Sequence, residues 1–331
     1  MPTWTATGRT LPAAARSGQR QGGRLRPWKK SRMIIILDYP GPTMRRLVAA
    51  ALVGALLASC AERGDGRLPV VASFYPLAWA AAEVGGGRVR VVDLTPPGGE
   101  AHDATLSAVQ RAELSTASLV LLLGRFGFQP EIERAAADAE GRVVEVAAGL
   151  ELAPGEGDLR SDPHVWLDPV LMRRIVGTVV RALAEVDPAG AGVYRRRGGA
   201  LEEDLGRLDA AYREGLADCR YRTFVVTHEA FGYLAARYGL RQLGILGLEP
   251  EGEPSAARVE AAVAAIGSGE AAPAVFYEAT EAGRRIGAAV AADAGVPALP
   301  LSTLESRPAT GDYLSAMRRN LGALREGLRC R

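Results

Sequence analysis

The sequence predicts an α/β protein of two lobes, each with a mostly parallel sheet flanked by helices, joined by one long rigid helix. Three observations carry this. Short apolar runs rich in branched residues alternate with amphipathic stretches between residues 68 and 146. The same alternation restarts after Cys219. Between the two, apolar residues spaced by three and four run from Asp187 through Tyr194, Leu201, Leu205, Leu208 and Tyr212 to Leu216.

In the first lobe, Pro69–Phe74 reads as a strand and Pro76–Val84 as the helix that follows it. Arg88–Leu94 is a second strand, running into the loop Pro96-Pro97-Gly98-Gly99. Thr105–Ser115 has helical spacing, Ser118–Leu123 is a buried strand, Gln129–Ala139 is a helix and Val143–Val146 a fourth strand. Residues 155–162 form a loop, and Pro169–Glu185 is a helix. The pattern from Asp187 amounts to about 29 residues, roughly 43 Å at 1.5 Å per residue, weakened at Gly198-Gly199. In the second lobe Thr223–Val226, Gln242–Ile245, Ala274–Tyr277 and Pro297–Leu301 read as strands. Helices fit at Phe231–Tyr238, Ser255–Ile266, Glu281–Ala294 and Asp312–Leu328.

Composition supports a folded chain, since 48% of the 331 residues are hydrophobic and 24% charged. The net charge of +2 averages over unlike segments. Residues 1–43 hold eight basic residues, including the only two lysines, Lys29 and Lys30, against the single acid Asp38. At Met44 a new pattern starts: Arg45-Arg46, an apolar run of 11 residues from Leu47 to Leu57, then Ala58-Ser59-Cys60. A short basic start, such an apolar run and small residues at its end make an export signal. The run is too short to span a bilayer, which takes about 20 residues. Leu57-Ala58-Ser59-Cys60 resembles the lipobox of bacterial lipoproteins, which makes Cys60 the lipidated first residue; the alternative is a cleaved signal with an incidental cysteine. The expected organisation is an upstream extension over 1–43 with translation beginning at Met44, a lipoprotein signal over 44–59 and a tether over 60–67. An N-terminal lobe then covers 68–186, a linking helix 187–217 and a C-terminal lobe 218–331.

Without residues 1–59 the chain has 30 arginines, no lysine and 37 acids, a formal charge of −7. That is no basic face for nucleic acid. Cys219 and Cys330 remain, and outside the cytoplasm two such cysteines either pair or stand as separate thiols.

The three histidines are the candidates for chemistry. His102 follows the Pro-Pro-Gly-Gly loop, His164 lies in Asp162-Pro163-His164-Val165-Trp166-Leu167-Asp168-Pro169, and His228 ends the strand Phe224-Val225-Val226-Thr227. Taken singly, each fits a structural hydrogen-bonding role. Together they fall in loops at comparable positions in both lobes, and the ends of strands in open α/β sheets are where ligands bind.

Three stretches resemble the metal-binding receptors of bacterial zinc/manganese ABC importers, the cluster 9 (cluster A-I) solute-binding lipoproteins. They are Pro-Pro-Gly-Gly-Glu-Ala-His at 96–102, Asp-Pro-His-Val-Trp-Leu-Asp-Pro at 162–169 and Thr-His-Glu-Ala-Phe-Gly-Tyr-Leu at 227–234. The loop from Gly247 to Ser255 and Phe276-Tyr277-Glu278 are similar to further family segments, and the likeness runs from about Leu68 to Leu328. The resemblance implies His102 and His164 as ligands from the first lobe and His228 from the second. Manganese members tend to carry a glutamate at the third position, so histidine implies Zn2+, with Mn2+ as the alternative; imidazole itself favours zinc. The family's fourth ligand is often an aspartate in the last loop, where this chain has Thr303. Water, Glu305 or Glu100 are the replacements. The implied partners are a membrane permease and, through Cys60, a lipid membrane; the implied protein is a monomeric receptor in the periplasm or on the cell surface, not an enzyme. Some family members have been called adhesins, though no segment here identifies an adhesive surface. Three histidines and water also describe a hydrolytic zinc site. Glu229 is then the candidate base, but Gly232 stands where the zincin pattern places its second histidine.

Overall fold

The computed structural model describes residues 66–102, 104–249 and 254–331. The extension, the export signal and Cys60 lie outside the described residues, as do residues 250–253 of the second-lobe loop. Strands β1 (Leu68–Ala72), β2 (Val89–Asp93), β3 (Leu119–Leu122) and β4 (Arg142–Glu145) form the first sheet in the order β2-β1-β3-β4. Every pairing is parallel. A parallel neighbour requires a crossover, here supplied by α1 (Tyr75–Gly85), α2 (Ala108–Thr116) and α3 (Pro130–Ala135). β3 is apolar and buried at all four positions, as an inner strand covered on both faces must be.

The second sheet repeats the plan. Strands β5 (Thr223–Val226), β6 (Arg241–Gly244), β7 (Val275–Tyr277) and β8 (Ala298–Pro300) lie in the order β6-β5-β7-β8, all parallel. Helices α6 (Gly232–Arg237), α7 (Ala256–Ser268) and α8 (Glu281–Ala294) cross between strands, and α9 (Tyr313–Gly327) follows the last one. In both sheets the order reverses between the first and third strands. Loops leaving the strands' carboxyl ends diverge there and open a crevice.

Helix α4 (Pro169–Val186) starts on Asp168, whose carboxylate accepts hydrogen bonds from the N–H groups of Val170 and Leu171. The linking helix α5 (Ala191–Gly215) has 25 residues, about 38 Å at 1.5 Å per residue. It is shorter than its sequence pattern because Pro188–Gly190 form a 3₁₀ turn, with the Asp187 side chain accepting from the Gly190 N–H. Gly198-Gly199 leaves α5 continuous. A β-carbon on Gly198 would lie 2.2 Å from Val180 Cγ2 of α4, so the residue that weakens the isolated helix permits close packing against its neighbour. Tyr212 of α5 donates to the Met317 carbonyl of α9 at 2.7 Å, fastening the helix to the second lobe. The helix expected over Gln129–Ala139 is likewise divided into α3 and a 3₁₀ turn at Ala136–Asp138.

A disulfide joins Cys219, just beyond α5, to Cys330. Beside it the Arg331 N–H donates to the Asp218 carbonyl at 2.9 Å. Among the described residues no helix is long and apolar enough to cross a membrane.

Candidate metal centre

Each candidate ligand sits beyond the carboxyl end of a strand: His102 after β2, His164 after β4, His228 after β5 and Glu305 after β8. The fold brings all four together, with one possible ligand atom from each within 4.8 Å of the others. None is more than 6% exposed. Glu305 Oε1 lies 3.8 Å from His102 Nε2, 3.6 Å from His164 Nε2 and 3.9 Å from His228 Nδ1. A tetrahedral ion with bonds of 2.0–2.1 Å has ligand–ligand edges of about 3.3 Å, so small adjustments complete such a shell.

The tautomers follow from what each ring touches. His164 Nδ1 is 2.8 Å from Asp162 Oδ1. Nδ1–H donates to the carboxylate, which turns the Nε2 lone pair toward the cluster. His228 Nε2 is 3.0 Å from the Leu248 carbonyl, which can only accept, so Nε2 carries hydrogen and Nδ1 faces inward as a lone pair. His102 packs edge-on against Phe128, with ring centroids 4.7 Å apart. Neither nitrogen of His102 makes a hydrogen bond, nor do His164 Nε2 and His228 Nδ1. Buried imidazole nitrogens left unbonded are costly in any protein. A bound cation satisfies those facing the cluster.

The electrostatics differ from ring to ring. Burial, with the other two imidazoles beside it, holds His102 well below the ordinary histidine value and therefore neutral. Burial also opposes charge on His228, but Glu278 and Glu305 hold its pKa above the usual one. Glu100 is pushed up to about 10, by burial first and then by Glu305 and Glu278 nearby. The carboxylates Glu100, Glu278 and Glu305 form a second close group that shares Glu305 with the histidines.

The sequence left the fourth place open among water, Glu305 and Glu100. In the structure Glu305 faces all three imidazoles, and Glu100 stands behind it among the acids. Thr303, in the family's aspartate position, instead donates to Glu278 Oε1. Glu229, the candidate hydrolytic base, is turned elsewhere: Oε1 accepts from the Gly244 N–H at 3.1 Å and Oε2 pairs with Arg258 at 3.3 Å. Two residues that the sequence reading assigned no role stand directly on the histidines. Asp162 orients His164, and Glu278 Oε2 lies 3.6 Å from His228 Nδ1. Asp162 was findable as an acid two residues before a candidate ligand; Glu278 becomes a neighbour only through sheet order.

A model of the family described as zinc-uptake complex component A, periplasmic (ZnuA), matches residues 70–327. The chain belongs to the ZnuA family. The zinc-binding lipoprotein AdcA of Streptococcus pneumoniae is 30% identical over 302 residues, covering 85% of this chain and 60% of AdcA. The chain thus spans about 60% of that relative's length. The high-affinity zinc uptake system protein ZnuA of Bacillus subtilis is 28% identical, with 85% of this chain and 94% of that one covered. The solved Zn(II)-bound ZnuA-like domain of Streptococcus pneumoniae AdcA superposes with a TM-score of 0.69 at 30% identity, over 80% of this chain and 99% of that one. The two parallel-sheet lobes described above are the ZnuA-family fold, and it is the family that the three histidine motifs resemble.

Proposed function

We propose that this chain is the extracytoplasmic receptor of a zinc ABC importer, capturing Zn2+ between its lobes and delivering it to a membrane permease. The observation that carries the reading is the convergence of His102, His164, His228 and Glu305, three of them presenting buried ring nitrogens without hydrogen bonds. Three imidazoles and one carboxylate make a nitrogen-rich, four-coordinate set that suits zinc better than manganese. Two ligands come from each lobe, so one ion holds the lobes together and the permease releases it by separating them. The rigid α5 keeps that motion to a modest tilt. Cys60 anchors the mature protein to the membrane by lipid. The receptor works as a monomer and performs no covalent chemistry.

Metal analysis of the mature protein, followed by zinc and manganese titration, tests this directly. One zinc per chain, bound in preference to manganese, is expected. His164→Ala lowers zinc affinity by more than about 100-fold, beyond the range of second-shell changes; an unchanged calorimetric affinity removes His164 from the ligand set. Because imidazole ligands must be neutral, zinc binding weakens from pH 7.5 to 5. Pairing with a permease is tested by whether the zinc-loaded protein stimulates the ATPase of a reconstituted family transporter.

A further inference from the structure

Glu305 is delivered to the histidines by an unusual piece of backbone. Leu304, directly before it, has φ 59°, one of two non-glycine residues with positive φ among those described. Leucine adopts the left-handed region only where its surroundings impose it. Here they do so on three consecutive residues. The Asn320 side chain, on α9 and 3% exposed, grips both polar groups of Ser302: Oδ1 accepts from the Ser302 N–H at 2.9 Å and Nδ2 donates to the Ser302 carbonyl at 2.7 Å. The Trp166 indole N–H, reaching across from the first lobe, donates to the Thr303 carbonyl at 2.7 Å. The Leu304 N–H donates to Ser302 Oγ at 3.2 Å. None of these side chains belongs to the cluster of His102, His164, His228 and Glu305, yet every bond in the arrangement constrains the chain that carries Glu305.

We propose that Asn320 is a positioning residue for the metal centre: by clamping Ser302 it holds Leu304 in the left-handed conformation and aims Glu305 at the three histidines. Trp166 is its counterpart from the other lobe, so the fourth donor is in place only when the first-lobe loop is docked. The inference rests on the reading above in which Glu305 is a zinc ligand.

The two are tested together in the full mature chain. Zinc affinity is measured by calorimetry, and Co2+ absorption spectra serve as a readout of coordination geometry, for Glu305→Gln, Asn320→Ala and the double variant. Trp166→Phe, which keeps a ring in the core and removes the N–H, is an independent second variant. Asn320→Ala is expected to weaken zinc by about tenfold, in the range typical of groups that orient ligands. Its Co2+ spectrum is expected to move toward that of Glu305→Gln. Added to Glu305→Gln, it is expected to cause no further loss, because the clamp then has no ligand to aim. Trp166→Phe is expected to shift the spectrum in the same direction.

A spectrum unchanged in both Asn320→Ala and Trp166→Phe overturns the inference. So does an Asn320→Ala loss that is as large without the Glu305 carboxylate as with it. If Glu305→Gln itself alters neither affinity nor spectrum, the ligand reading fails and the inference with it. If Glu305→Gln alters both and the clamp variants do not, only the inference fails.

Discussion

Arg237, the last residue of α6, places Nε and Nη2 each 2.8 Å from Oδ2 of Asp168, the residue that caps α4. One lobe thereby grips the helix start of the other, four residues from His164. Two further bonds run alongside. Tyr233 donates its hydroxyl to the Asp162 carbonyl at 2.9 Å and accepts from the Ala153 N–H at 2.8 Å. The His164 loop is thus held at two points by α6 of the other lobe.

Truncating that grip has a measurable cost. Asp168 is buried and Arg237 only partly so. Arg237→Ala is expected to destabilise the chain by about 2 kcal/mol, the scale of a hydrogen bond to a charged group. Asp168→Ala, which also uncaps α4, costs about 1 kcal/mol more. Urea unfolding of both variants checks the order; equal losses would remove the capping contribution.

Asp162 acts on the candidate metal centre through His164. Its Oδ1 accepts from both Nδ1 and the backbone N–H of that residue. Asp162→Ala frees the ring to turn and lowers zinc affinity roughly 10–100-fold, whereas Asp162→Asn keeps an acceptor and loses less. Calorimetry on the pair separates orientation from charge.

Asp93, the last residue of β2, predicts a pH effect of its own. Burial raises its pKa from 3.8 to about 7, with the Thr95 N–H bond and Arg307 opposing the rise only in part. The folded state therefore prefers the neutral acid. The stability this contributes is whole below about pH 4 and is lost as pH climbs through 7. Asp93→Asn keeps the acceptor for Thr95 and escapes the loss. Its melting temperature is expected to match the parent at pH 4 and exceed it at pH 8; a constant difference across the range contradicts the assignment.

The disulfide predicts a larger effect. It closes a loop of 111 residues' separation, and chain-entropy arguments for so long a loop give about 2–4 kcal/mol after ordinary losses. The Cys219→Ser, Cys330→Ser double variant should show that drop in urea. An equal drop in the parent on adding reductant identifies the bond itself as the cause.

The fold was legible because parallel strands buried on both faces write themselves as apolar runs, and β3 and β5 leave little choice. Boundaries were less so. The Asp187-Pro188 step continues a helical spacing in sequence, yet its side chain caps a tighter turn. The three histidines were visible because each follows a strand or opens a helix in a motif of its own. Glu305 was visible only as one of three candidates for the fourth place, beside water and Glu100. What singles it out is Asn320 and Trp166, 15 and 139 residues away, acting on backbone that carries no sequence signal. Glu278 is similar: sheet order alone puts β7 beside β5, and with it a carboxylate beside His228.

The Cys219–Cys330 bond makes the second lobe a covalent ring, since the chain leaves that lobe where it entered. The amino ends of parallel strands lie opposite the crevice, and Cys219 stands four residues before β5 at that far edge. A label or surface tether attached after Arg331 therefore emerges beside the end of α5, away from the cleft. It leaves the cleft unobstructed. A single proteolytic cut within the ring also leaves both pieces attached, so a nicked chain migrates as an intact one until it is reduced.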